Sequence, residues 1–220
     1  MLAISDRRGV LAGLLLLGIA KMTIAAEPAF LKVVDSSGAP VPDAVVYLEG
    51  GRTSPPETSA RAVVDQIDET FVPQLTVIQT GTIVEFPNSD AVSHHVYSFA
   101  RPNAFELPLY RGQLTPEVRF DHPGIVILGC NIHDTMLGYI VVVDSAHFGI
   151  TDGDGAVTIS GVPSGTRRFF VWSQRLDPTR PLQVDLNIDR SDAQTLVLNV
   201  GRRLRTDPRT GGGSLAWEDY

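Results

Sequence analysis

The chain has 220 residues, 43% of them hydrophobic and 20% charged, with a formal charge of −7 and one cysteine. That length and apolar fraction allow one or two ordinary cores and exclude a disordered chain. The acidic balance excludes a nucleic-acid binder, and a lone cysteine excludes an internal disulfide framework.

In chain order, the first segment is MLAISDRRGVLAGLLLLGIAKMTIAA, with Arg7 and Arg8 ahead of an apolar run from Gly9 to Ala20 and small residues at Ala25 and Ala26. This is the pattern of a secretory leader over residues 1–26. A permanent span needs about 20 apolar residues, and this run stops at Lys21. The expectation is export to the periplasm, cleavage near Ala26 and no stable membrane insertion afterwards; an uncleaved anchor is the other arrangement. The paired arginines match a twin-arginine signal poorly, with Asp6 before them and Gly9-Val10-Leu11 after, so the export route stays open. Losing the leader removes three basic residues and one acidic residue, leaving 15 and 24 and a charge of −9.

After the leader, short β-branched runs alternate with turn signals. FLKVVD is followed by SSGAP, AVVYLEG by GRTSPPETS, LTVIQ by TG and TIVEF by PNSD. ARAVVD, EVRF, IVILG, GYIVVVD, AVTIS, RRFFVW and TLVLNV continue the series. Strands at this spacing, divided by Gly, Pro, Asp and Asn, predict an all-β chain of sandwich architecture. GGRTSPPETS, residues 50–59, is one natural boundary, and Asp144 to Phe148 is another. Residues 203–220 show no strand-like alternation and are expected to form a flexible tail.

Between the boundaries lies GCNIHDTMLGYIVVV, which holds Cys130, His133 and Met136 with two residues between each pair. A soft thiolate, an imidazole and a thioether are the ligand types that copper selects. A second imidazole is available upstream in FPNSDAVSHHVYSF, at His94 or His95. Adjacent strand residues face opposite sides, so only one of the two can face the same interior. Zinc also suits thiolate and imidazole, but the methionine argues against it.

Residues 62–143 resemble the cupredoxin family, especially its amicyanin and plastocyanin-like members. The resemblance rests on AVVDQIDETFVPQLTVIQTGTIVEFPNSD, with Phe71, Pro73, Gly81 and Asn88, on VRFDHPGIVILGC, and on the short CNIHDTM loop. It implies a Greek-key sandwich holding one type 1 copper per chain, with Cys130 as thiolate ligand, His133 as the solvent-side imidazole and Met136 as the axial thioether. The family's Pro-His-Asn-Val aligns with Ser93-His94-His95-Val96, which makes His94 the first ligand. Ser93 and His95 depart from that pattern, so the redox potential does not carry over. HHVYSF, FELPLYRG and LGCNIHDTMLGYIVVVD are similar to a narrower group of exported, methylamine-utilization-type cupredoxins.

The resemblance implies a carrier of single electrons that exchanges with a redox partner such as a cytochrome c or a dehydrogenase, toward which an acidic surface could steer it. Copper storage or delivery is the alternative. An enzyme is not expected, because catalytic copper needs an open position or a second centre. No nucleophile elbow, phosphate-binding glycine loop or HExxH sequence is present.

The flanking segments FLKVVDSSGAPVPDAVVYLEG and GITDGDGAVTISGVPSGTRRFFVW resemble the carboxypeptidase regulatory-like, transthyretin-like sandwich. This implies that residues 27–50 and 147–202 form a second small immunoglobulin-like sandwich, interrupted by a cupredoxin domain over 60–144. The rival arrangement adds 27–50 to the cupredoxin as extra strands. Asp152-Gly-Asp154-Gly155 reads as a hairpin turn, since a calcium loop would need Glu where Pro163 stands. His122 is expected at the surface, and His147 has no partner in the sequence.

Overall fold

A computed structural model describes residues 27–50, 60–112, 114–176, 179–188 and 194–198. The leader at 1–26, most of the break at 50–59 and the tail at 203–220 lie outside the described residues, as do residues 199–202. The described chain is all-β, with no helix.

Two strands precede the break, β1 (Glu27–Asp35) and β2 (Val45–Leu48). The middle of the chain supplies β3 (Arg61–Val63), β4 (Asp65–Ile67), β5 (Thr70–Val72), β6 (Leu75–Gln79), β7 (Thr82–Glu85), β8 (His94–Ser98), β9 (Phe105–Tyr110), β10 (Glu117–Phe120), β11 (Gly124–Gly129) and β12 (Leu137–Val143). Then follow β13 (Phe148–Ile150), β14 (Ala156–Val162), β15 (Gly165–Trp172), β16 (Leu182–Ile188) and β17 (Gln194–Leu198).

The strands pair within two sequence-defined sets. β1 lies between β14, antiparallel, and β17, parallel. β2 lies between β13 and β15, and β16 completes that sheet. Val46 stands opposite Val171 and Tyr47 opposite Phe170, so the chain before the break pairs directly with chain beyond residue 147. The two sheets close on one apolar core: Leu31 and Val33 from β1, Val46 and Leu48 from β2, Ile159, Phe169, Ile188 and Leu196. Thr151 is its polar joint, accepting the Ala44 N–H at 2.8 Å and donating to the Val41 carbonyl at 2.7 Å.

The middle strands form a five-stranded sheet, ordered β6-β12-β11-β8-β9, facing a three-stranded sheet, β10-β7-β3. Phe71, Val84, Phe86, Val96, Phe120, Val126, Leu128 and Ile140 fill the space between them, together with Cys130 and Met136. β9 carries Pro108 and sits at the sheet edge, where a missing N–H costs no ladder bond.

The two sets meet along a third apolar cluster. Val45 and Trp172 on one side pack with Ile125, Tyr139, Val141 and Val143 on the other. This explains why β12 reads as an unbroken apolar run: Ile140 and Val142 face the inner core, while Tyr139, Val141 and Val143 face the seam. A strand covered on both faces has no reason to alternate.

Candidate metal centre

The loop Cys130–Met136 joins β11 to β12, which pair antiparallel from Gly124↔Val142 to Gly129↔Leu137. That ladder fixes both ends of the loop, and the Met136 N–H donates to the His133 carbonyl at 3.0 Å, folding it back on itself. Cys130 is 4% exposed and Met136 2%, both within the inner core. Gly138, two residues beyond the loop, is needed for space: a Cβ there would meet the Phe71 ring at 3.0 Å.

His94 opens β8, whose pairing with β9 shifts register between His94 and Val96. Such an irregularity re-aims a side chain. The His94 ring is fully buried and turns its Nδ1 toward the loop, 3.1 Å from His133 Nδ1 and 3.9 Å from Cys130 Sγ. His133 Nδ1 lies 3.7 Å from the same sulfur. Cys130, His94 and His133 thus present one sulfur and two nitrogens within 4.8 Å of one another. Met136 is buried in the same core, at the end of the loop.

The donor triangle fits a metal. Its three corners, separated by 3.1, 3.7 and 3.9 Å, are equidistant from a point about 2.1 Å from each, close to the roughly 2.0–2.3 Å of first-row metal bonds to imidazole and thiolate. The other ring nitrogens set the tautomer. His94 Nε2 is 3.0 Å from Asp90 Oδ2, so the ring donates there and leaves Nδ1 as a lone pair. Asp90 is itself held as an acceptor: the Glu69 N–H, first, and then His94 keep its carboxyl below the ordinary 3.8. The Glu69 N–H reaches Asp90 Oδ2 at 2.8 Å.

Glu69 reaches the centre because of the β4–β5 hairpin. Asp68 and Glu69 both adopt positive φ, 50° and 56°, the backbone of a tight two-residue hairpin turn. The hairpin tip thereby stands over the site, with the Glu69 carboxylate 3.7 Å from His133 Nε2. Glu69 and Asp90 were not singled out from the sequence. Asp90 lies four residues before His94 in PNSD, where a polar residue reads as turn chemistry, and Asp-Glu is not a typical two-residue hairpin turn pair.

The loop between β7 and β8 is braced from beneath. Asn88 Nδ2 donates to the Val92 and Tyr110 carbonyls at 3.0 and 2.9 Å, and its Oδ1 accepts the Asp90 N–H at 3.0 Å. Tyr110 donates its hydroxyl to the Phe86 carbonyl at 2.7 Å and accepts from Gln66 Nε2. Burial pushes the Tyr110 phenol up to about 12. These bonds tie Asn88, and through it Asp90, to Tyr110 on β9 and to Gln66 on β4.

The remaining histidines stand apart from the triangle. His95 Nε2 contacts Glu106 at 3.0 Å on the other face of β8, and its buried Nδ1 has no hydrogen-bond partner among the described residues. His122 is exposed, and His147 Nδ1 bonds the Ser160 carbonyl at 2.9 Å. Asp152 Oδ1 accepts the N–H groups of Asp154 and Ala156 at 3.0 and 2.9 Å, closing a turn.

No family model and no curated protein sequence matches the chain. Among solved structures it is similar, over part of its length, to a purple cupredoxin from Nitrosopumilus maritimus, at 21% identity over 39% of this chain and 100% of that one, TM-score 0.34. A reduced amicyanin variant is 19% identical over 44% of this chain and 98% of its own, TM-score 0.36. A copper-containing nitrite reductase from Thermus scotoductus is 24% identical over 44% of this chain, TM-score 0.36, and the chain spans 25% of its length. What the centre can hold follows from its own donors: one cysteine sulfur and two imidazoles that together could bind a metal.

Proposed function

We propose that the chain is an exported type 1 copper protein that carries single electrons between redox partners, with His94, Cys130 and His133 as strong ligands and Met136 as the axial one. The observation that carries this reading is the triangle of two Nδ1 atoms and one Sγ, closed to 3.1–3.9 Å, with Cys130 and Met136 sharing one buried core. A bound copper supplies one-electron chemistry between its cuprous and cupric forms. Sulfur favours the first and imidazole nitrogen suits the second, and the methionine favours copper over zinc.

The protein's part is to hold these donors still. Cys130 is kept from water by the inner core, so its sulfur is reserved for the metal. Asp90 fixes the His94 ring through Nε2, and Asn88 fixes Asp90. His133 is the most open of the three, with a ring 19% exposed, and its Nε2 edge points toward Glu69 at the surface. An electron leaving by the shortest path to solvent passes along that ring. Rigid donors favour exchange of electrons over release of metal, which is why carriage is preferred here to storage.

The same reading makes residues 60–144 a cupredoxin domain inserted into a regulatory-like sandwich of 27–50 and 147–202, exported behind a leader at 1–26. The partner would be a cytochrome c or a dehydrogenase, and the carrier itself is no enzyme. The test is to express residues 27–220, load one equivalent of copper(II) and record visible and electron paramagnetic resonance spectra. An intense thiolate-to-copper band, absent from Cys130→Ala, is expected. A colourless copper adduct, or a spectrum unchanged by Cys130→Ala, would reject the reading.

A further inference from the structure

The seam between the two sandwiches is not filled along its whole length. At one rim, where strands of both sandwiches begin or end, it opens into a cavity of about 190 Å³. The flanking sandwich supplies Asp43 just before β2, Ile150 at the end of β13, and Trp172 and Gln174 at and beyond the end of β15. The middle sandwich supplies Gln74 and Leu75 where β6 begins, and Tyr139 near the start of β12. Neither sandwich makes the cavity alone. Junctions of this kind, lined by apolar and aromatic side chains with a few polar groups, are a common place for small-ligand sites.

The most buried part of the lining is aromatic. Trp172 is 1% exposed and Tyr139 8%, with ring centroids 5.1 Å apart and planes tilted by 54°. The rim is open, since Asp43 and Ile150 are exposed. Asp43 is the one charged residue of the lining. Its φ of 57° lies in the left-handed region, which Asp and Asn adopt more readily than most residues, and its N–H donates to the Thr151 carbonyl at 3.1 Å. Among the described residues no cation pairs with its carboxylate, and neither the Tyr139 hydroxyl nor the Gln174 amide makes a hydrogen bond. Gln74 Nε2 donates to the Leu137 carbonyl at 3.3 Å, which leaves its amide oxygen uncommitted.

These groups select a ligand by charge and size. A carboxylate without a counter-charge, beside aromatic rings, suits an organic cation: the carboxylate neutralises it and the ring π systems attract it. An anion would find no positive group in the lining. A sugar would need an open aromatic face to stack on, and Trp172 offers none. The volume, about 190 Å³, is that of roughly six water molecules, enough for a cation of a few heavy atoms and too little for a peptide. The chain's charge of −7 also favours the approach of cations.

We propose that this end of the seam binds a small organic ammonium ion, with Asp43 as its counter-charge, Tyr139 and Trp172 as its aromatic wall and Gln174 as the partner of a polar substituent. No bond is made or broken. The site is independent of the copper reading, since none of its residues is among the metal's donors, and it exists only while the two sandwiches are docked.

Trp172 supplies the readout. The chain has two tryptophans, Trp172 and Trp217, so in Trp217→Phe the indole emission reports the cavity alone. Choline and propylammonium are titrated into this variant over residues 27–220, copper-loaded and reduced, beside the neutral isostere of choline in which carbon replaces the ammonium nitrogen. At least one of the two cations should change the emission saturably and raise the melting temperature. The isostere should bind about tenfold more weakly or worse, and Asp43→Asn should weaken the cation to the same degree, a difference of about 1.4 kcal/mol. Asn tolerates the same backbone as Asp, so this variant should fold like the parent, and an unchanged melting temperature without ligand checks that. Gln174→Ala should weaken choline less than Asp43→Asn does.

No saturable response to either cation overturns the proposal, as does an isostere that binds as tightly as choline or an affinity unchanged by Asp43→Asn. Saturation by glucose with no response to the cations would assign the cavity to a neutral polyol and overturn it as well.

Discussion

The two sandwiches use the same β-sheet grammar for opposite ends. The flanking one closes over Leu31, Val33, Val46, Ile159 and Phe169, and among described residues its buried polar side chains are few, Thr151 and Ser173 being two. The middle one buries Gln66, Thr80, Thr82, Asn88, His94, His95 and Ser98. Buried polar groups are costly unless bonded, and here Gln66, Asn88 and His94 are bonded around the loop between β7 and β8. Both halves bury an apolar core, but only the middle one adds a bonded set of buried donors to it, and the seam through Val45, Tyr139 and Trp172 ties the two together.

That contrast predicts different responses to mutation. The largest loss of stability belongs to the flanking core: Phe169 is fully buried, and Phe169→Ala should cost about 3–5 kcal/mol in chemical denaturation. The copper spectrum of the fraction still folded should keep its shape; a changed spectrum would mean that the seam transmits the disturbance to the metal centre.

Asn88→Ala comes next. It removes three hydrogen bonds and leaves the Asp90 N–H and two carbonyls without that partner, for a loss of about 2–3 kcal/mol. Unlike Phe169→Ala, it should also weaken metal binding, because it frees the arm that carries Asp90 and His94. Competition with a chelator checks this, and unaltered affinity would show that the arm is held by other means.

Asp90→Asn should affect stability little and metal affinity more. It removes the charge that orients His94 through Nε2, and loss of such a partner lowers metal affinity roughly 10–100-fold. A variant that binds copper as tightly as the parent would remove Asp90 from the centre.

The smallest effect is a pH response confined to the flanking sandwich. The Ser37 hydroxyl, assisted by the Ser37 and Ala39 N–H groups and by Arg175, holds the Asp35 carboxyl at about 2, below the ordinary 3.8. A depressed value in the folded state means that the contribution is complete above pH 3.8 and is lost as pH falls toward 2. Asp35→Asn should therefore flatten the stability profile over that window while leaving the visible spectrum unchanged. A profile as steep as the parent's would assign the acid limb to other carboxylates.

Much of this contrast could be read in the sequence. The β-branched runs between turn residues mark β1, β2, β6, β7, β11, β12, β14 and β15, and the Cys-x2-His-x2-Met spacing marks the loop. What the sequence hid has physical reasons. The β4–β5 hairpin turns on Asp68 and Glu69, which carry no asparagine or glycine to announce their positive φ. β9 contains a proline tolerated only because it is an edge. Glu69 and Asp90 act through one backbone N–H and one carboxylate, and polar loop residues give no sign of which contacts they will make. The Gln66–Tyr110 bond spans 44 residues and only the folded sheets bring its ends together. Nor does anything in HHVYSF show that the Tyr97 ring will lie on Gly129 of the neighbouring strand.

The central claim is that Cys130, His94 and His133 bind one copper ion together, and copper-edge X-ray absorption of the protein loaded with one equivalent tests it most directly. The account predicts one short sulfur scatterer and two imidazole nitrogens around each copper, with the sulfur gone in Cys130→Ala. A first shell of nitrogen and oxygen alone, unaffected by that substitution, would contradict it.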